Sequence, residues 1–129
     1  MLRYLPLLMI AATPALAEDP DAGAAIFQTH CATCHGPGAE GDGPLGAMLT
    51  VPPPDLTGLS ARNGGVFPLE RVLSRIDGTT EVMAHGGPMP LFGLILEGSS
   101  EVMVAPDGSD IAAPEALIDI ASWLMEVQQ

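Results

Sequence analysis

The segment Cys31-Ala32-Thr33-Cys34-His35 places two thiols and an imidazole at relative positions i, i+3 and i+4. On a helix those positions share one face, so two sulfurs and a ring nitrogen can address one object from the same side. Thiols at this spacing can form two thioethers to the vinyl groups of a haem, while the imidazole beside them reaches the iron as proximal ligand. We read CxxCH as the attachment site of a covalent c-type haem. Three other chemistries use paired cysteines. A redox dithiol needs a thioredoxin-like strand ahead of it and leaves His35 idle. A zinc site needs two further ligands, and the other histidines, His30 and His85, belong to no second cluster. A structural disulfide across so short a loop gains little stability.

The elements that must position this motif follow from the residues on either side. Asp19-Pro20-Asp21 carries an N-cap, a proline at the first helical position and an acid in the first turn, which predicts a helix from about Pro20 to His35. Gly23, Phe27, Cys31 and Cys34 then lie along one face, and a glycine kept inside a helix points to close approach by another element. From Gly36 to Gly46, five glycines and two prolines make a loop, and Pro52-Pro53-Pro54 forbids a helix and predicts a rigid extended segment. A ligating imidazole needs an acceptor for its second ring nitrogen, and a carbonyl on such a segment would serve.

Further along, Leu69, Val72, Leu73 and Ile76 predict a short helix opened by Pro68 and stopped by Asp77-Gly78. Residues 83–93 are too rich in glycine and proline for a regular element. Between Gly98 and Ala113, the run Glu101-Val102-Met103-Val104 and the Pro106-Asp107-Gly108 turn predict a small hairpin or an exposed loop. Pro114 opens a last helix with Leu117, Ile120, Ala121 and Leu124 on one stripe and Trp123 at its border.

The start of the chain reads as an address. Arg3 supplies a basic end, Leu5 to Ala12 an apolar run, and Ala15-Leu16-Ala17 a small-residue cleavage site. We expect residues 1–17 to be a secretory signal and residues 18–129 to form one domain; an uncleaved membrane anchor is the alternative. Export agrees with the motif, because c-type haem is attached outside the cytosol. Hydrophobic residues make up 47% of the chain but aromatic residues only 4%, so the core is short of large side chains and a haem would supply the missing volume.

The formal charge is −12, with no lysine at all. Nucleic acid and anionic membranes are poor partners for such a chain, and a stably inserted segment is not expected once the signal is cleaved. The acidity serves either solubility or docking to basic redox partners.

Taken together, the residues resemble the single-haem, class I cytochrome c domain family. The resemblance is carried by Gly23-Ala24-Ala25-Ile26-Phe27, CxxCH, Pro54-Asp55-Leu56-Thr57-Gly58-Leu59, Met89-Pro90 with Phe92, and Ile120-Ala121-Ser122-Trp123-Leu124. It implies an all-α cytochrome c fold, three to four short helices wrapped around one covalent haem c with long loops between them. It also implies His/Met ligation, contact between the first and last helices, and a Pro54 carbonyl that accepts from the proximal imidazole. Three features depart from the family pattern: the long loop between His35 and Pro54, the added segment 98–113, and the lysine-free acidity.

Among the seven methionines, Met1 and Met9 leave with the signal, Met48 lies too near the proximal side, Met103 sits in the added segment and Met125 in the last helix. Met83 and Met89 remain, and the Pro88-Met89-Pro90 frame favours Met89 as distal ligand. His85 is the competing ligand, and the Gly86-Gly87 beside it suggest a mobile position. Arg62 and Arg75 are candidate donors to the haem propionates. The expected function is one-electron transfer between redox proteins in the periplasm, with no catalytic residues of its own. The alternatives are a cytochrome subunit of a larger periplasmic oxidoreductase, in which segment 98–113 would be an interface, and a haem enzyme or gas-binding protein with a labile Met89.

Overall fold

The computed structural model describes residues 18–79, 89–96 and 98–129. Four α-helices appear in the order α1 (Pro20–His30), α2 (Ala32–His35), α3 (Leu69–Asp77) and α4 (Glu115–Glu126). A two-stranded antiparallel hairpin, β1 (Ser100–Val104) and β2 (Asp110–Pro114), lies between α3 and α4, with Val102 opposite Ala112 and Val104 opposite Asp110. The all-α expectation is therefore amended: the helices enclose the core, but the added segment has become a small sheet. Its strand pattern, with Met103 and Ala113 turned inward, selects the hairpin over the exposed loop.

Helix α1 begins as its sequence dictates, with the Asp19 carboxylate accepting from the Ala22 backbone N–H at 3.0 Å. It ends earlier than expected. Cys31 adopts φ −115°, well outside the helical range, so the predicted single helix to His35 is two pieces. The His35 backbone N–H still donates to the Cys31 carbonyl at 2.9 Å, which keeps one helical turn across the motif.

The principal packing is α1 on α4. A Cβ on Gly23 would collide with the backbone of Asp119 and Ile120, so only glycine lets the two helices approach this closely. Phe27, 1% exposed, stacks its ring 4.5 Å from that of Trp123 at a tilted angle. The Asp19 backbone N–H donates to the Asp119 carboxylate at 2.9 Å, fastening the start of α1 to α4. Helix α3 adds Leu69, Val72, Leu73 and Ile76 to the same core, at the spacing read from its sequence. At the other end of the chain, Gln128 donates to the Leu56 carbonyl and accepts from the Ser60 N–H, both at 2.9 Å. The end of α4 thereby holds the segment that follows Pro54.

Candidate functional site

Cys31 and His35 are buried and Cys34 is half-buried, beside the ring of Phe27, whose centroid lies 6.4 Å from that of His35. Both cysteines are free thiols. Burial, followed by the neighbouring Cys34, pushes the Cys31 thiol up to about 11, so it stays protonated at neutral pH. Burial also holds His35 below the usual histidine range, which keeps the imidazole neutral, the form whose lone pair binds a metal.

Pro54 works in the opposite direction. Its backbone carbonyl partly restores the basicity of His35, as a hydrogen-bond acceptor for the ring would. The contact nevertheless falls short of a fully formed hydrogen bond, so Nδ1 is a buried polar atom without a partner of good geometry. The side chain of Pro54 is exposed; its contribution is made through the backbone.

What brings Pro54 to His35 is the glycine-rich loop. The Gly41 N–H donates to the His35 carbonyl at 2.8 Å, the Leu45 N–H to the Thr33 carbonyl at 3.0 Å, and the Leu56 N–H to the Ala39 carbonyl at 2.7 Å. The loop is thus clamped between α2 and the proline segment. A Cβ on Gly43 would strike the backbone of Thr33 and Cys34, and one on Gly41 would strike the Pro53 carbonyl. Ala39 completes the clamp, fully buried and in the left-handed conformation at φ 61°. This clamp escaped the sequence reading, although the density of glycine in 36–46 was its signal.

Met89, the residue expected as distal ligand, is half-buried and packs against the hydrophobic core. The residues that follow it are fixed to the end of α3. A Cβ on Gly93 would run into Asp77 and one on Gly78 into the Leu91 side chain. Phe92 also meets the exposed His30 edge-on, with ring centroids 6.2 Å apart. His30 thus touches the distal segment, a contact with no signature in the sequence. Met83 and His85 lie outside the described residues.

Arg62 donates to the Asp55 carbonyl and lies across Gly58, so it braces the turn after Pro54. Arg75 is exposed near the end of α3. Met103, 3% exposed, is enclosed between the hairpin and α4, and Met48 is 79% exposed in the loop after the motif.

The donor set fits a haem better than an ion. Among the described residues no three His, Cys, Asp or Glu side chains converge on a point that could hold a metal ion. Two thiols and an imidazole arrayed along one turn suit a flat macrocycle bonded at its periphery and its centre.

The cytochrome c family model matches residues 20–128, so the chain belongs to the cytochrome c family. Membership brings with it the cytochrome c fold, haem c binding and haem-based electron transfer. Comparison with curated proteins and with solved structures gave no significant match.

Proposed function

We propose that the chain is an exported, periplasmic carrier of single electrons between redox proteins, with one haem bound covalently through Cys31 and Cys34 and ligated by His35 and Met89. The observation that carries this reading is the placement of His35: a buried imidazole one turn beyond Cys31, with its Nδ1 left without a hydrogen-bond partner beside the Pro54 segment. When bound, the haem supplies a one-electron couple.

The protein's own residues do the rest. Cys31 and Cys34 fix the macrocycle in plane and orientation. Phe27, Trp123 and the aliphatic side chains of α3 and α4 exclude water from it. With the haem bound, the Pro54 carbonyl would be the acceptor for Nδ1–H, setting the ring orientation and raising the donor strength of the other nitrogen. Met89 offers a thioether, a soft and weak donor that favours the reduced metal. Because the α1–α4 pair and the loop clamp hold the proximal ligand rigidly, ligation changes little on electron exchange. The acidic surface suits partners with basic docking faces.

The test is Cys31→Ser/Cys34→Ser, produced in a host that exports the chain and attaches haem. The variant is expected to lose all haem that resists acid-acetone extraction, since the chain has two cysteines only. Haem that stays bound through extraction would overturn the covalent assignment.

A further inference from the structure

The hairpin carries apolar residues on both of its faces, which a simple structural element does not require. A strand pair resting on a core is expected to turn polar residues outward. Here Val102 and Val104 are 65% and 63% exposed, while Glu101 sits half-buried on the inner side. Ala112, across from Val102, is exposed as well, so the outer face reads Val102, Val104 and Ala112, with Asp110 directly opposite Val104. An exposed β-branched face on a short sheet, two-stranded among the described residues, is a surface that proteins ordinarily avoid.

Arg71 of α3 lines a cleft with Asp107, Ser109 and Ile111, but the hairpin's own segment carries charge of one sign. Residues 98–129 contain six acidic residues and no lysine, arginine or histidine. Asp107 lies in the turn, held by hydrogen bonds to its carboxylate from the N–H and hydroxyl of Ser109 at 2.9 and 2.6 Å, and Glu115 follows β2 and accepts from the Ser99 hydroxyl at 3.1 Å. The inner residues Met103 and Ala113 pack toward α4, so the hairpin is supported from below and has no need of its outer valines for folding.

We infer that the outer face of the hairpin is a docking surface for a protein partner that presents apolar side chains flanked by lysine or arginine. Charge complementarity selects this occupant. A second copy would set Asp107 and Asp110 against themselves on a chain of charge −12, and an anionic membrane would be repelled in the same way. Two valines and an alanine are far short of the roughly 1,200–2,000 Å² that a stable interface buries, so the contact is weak by itself and the acidic rim governs encounter. Both strands of the hairpin pack on α4. The inference rests on the electron-transfer reading only for what the docking is for.

The test uses the ¹⁵N-labelled ferrous holoprotein, titrated at low salt with the peptide acetyl-Lys-Val-Lys-Val-Lys-amide while backbone amide shifts are followed. The shifts are expected to concentrate on Ser100–Val104 and Asp110–Ala112. Val102→Thr/Val104→Thr, which keeps the β-branched shape, should weaken binding about tenfold by removing apolar contact. Asp107→Asn/Asp110→Asn should weaken it about fivefold and remove most of its salt dependence. Shifts centred elsewhere, or equal binding of acetyl-Lys-Ser-Lys-Ser-Lys-amide, would overturn the proposal without relying on any variant. Concentration-dependent shifts of the hairpin without peptide would assign the face to a second copy and overturn it as well. None of these readouts depends on haem ligation, so failure here leaves haem attachment and the reduction potential unchanged, whereas failure of the electron-transfer reading would appear as rapid carbon monoxide binding by the ferrous holoprotein with peptide binding intact.

Discussion

The two sides of the candidate haem site are built on different principles. On the proximal side, Cys31, Cys34 and His35 lie within five residues, and the loop that supports them returns within about twenty residues through backbone hydrogen bonds from Gly41, Leu45 and Leu56. On the distal side, Met89 depends on packing far along the chain: Leu91 against Gly78, Gly93 against Asp77, and Phe92 against His30. The proximal side is a local construction of backbone, and the distal side a tertiary construction of side chains. Under the proposed ligation that difference suits a division of labour, since a covalent anchor would have to be in place whatever the rest of the fold does, whereas a distal ligand would tune the iron and could be held by packing.

The sharpest way to test the distal side is to truncate Met89 and, as a control away from both sides, Met103 of the hairpin. Met103→Ala removes a fully enclosed side chain and is expected to cost about 2–5 kcal/mol, measured by thermal denaturation of the holoprotein, with the methionine–iron charge-transfer band unchanged. Met89→Ala should abolish that band at a smaller cost in stability. Met89→His should lower the reduction potential by more than about 60 mV, a tenfold change for a one-electron couple. If Met103→Ala removed the band and Met89→Ala kept it, the distal assignment would be wrong.

A second contrast tests the clamp on the proximal side. Gly43→Val forces a side chain into the backbone of Thr33 and Cys34, and overpacking of this kind should cost about 3 kcal/mol and lower the yield of haem-bearing protein. Gly64 has nothing within 4 Å of its Cβ position, and Gly64→Ala should cost only the strain of its φ of 71°, about 1 kcal/mol. Equal melting temperatures for the two variants would remove the clamp from the account.

A smaller effect is expected at the joint between α1 and α4. Burial raises the Asp119 carboxyl above the usual range, more than the Asp19 N–H lowers it, and nearby Glu115 and Asp19 add to the rise. The native state therefore prefers the protonated acid. Its contribution is complete below the ordinary carboxylate range and is lost as the pH rises through the raised value. Asp55 and Asp107 have the opposite sign, because hydrogen bonds from Thr57 and Ser109 respectively lower them, so their contribution is lost as the pH falls through the lowered values. Asp119→Asn, which can still accept from Asp19, should raise stability at pH 7 by less than about 1 kcal/mol and flatten the decline just above the carboxylate range. A melting temperature that drops at every pH would contradict this.

The same local-versus-tertiary divide explains what could be read from the sequence. CxxCH, the Asp19 cap, the α3 stripe and the Pro106-Asp107-Gly108 turn are written in neighbouring residues, and each appears where the spacing put it. The break at Cys31 was not legible, because the residues around it are ordinary helix formers and the φ of −115° is imposed by the fold. Ala39 gave no sign of its left-handed, buried role, since its type does not ask for that conformation. The contact between His30 and Phe92 joins positions sixty-two residues apart and has no local signature. The closeness of α1 and α4 was legible through Gly23 alone, an otherwise unfavourable helical residue.

The central claim is that one haem is joined to Cys31 and Cys34 on a chain that begins at Glu18. Intact mass spectrometry of the acid-denatured protein, matured in an exporting host, tests it most directly. The account predicts the mass of residues 18–129 plus one haem, with the added mass retained on the peptide that contains CxxCH. A denatured chain at its bare polypeptide mass, with the haem released by acid, would contradict it.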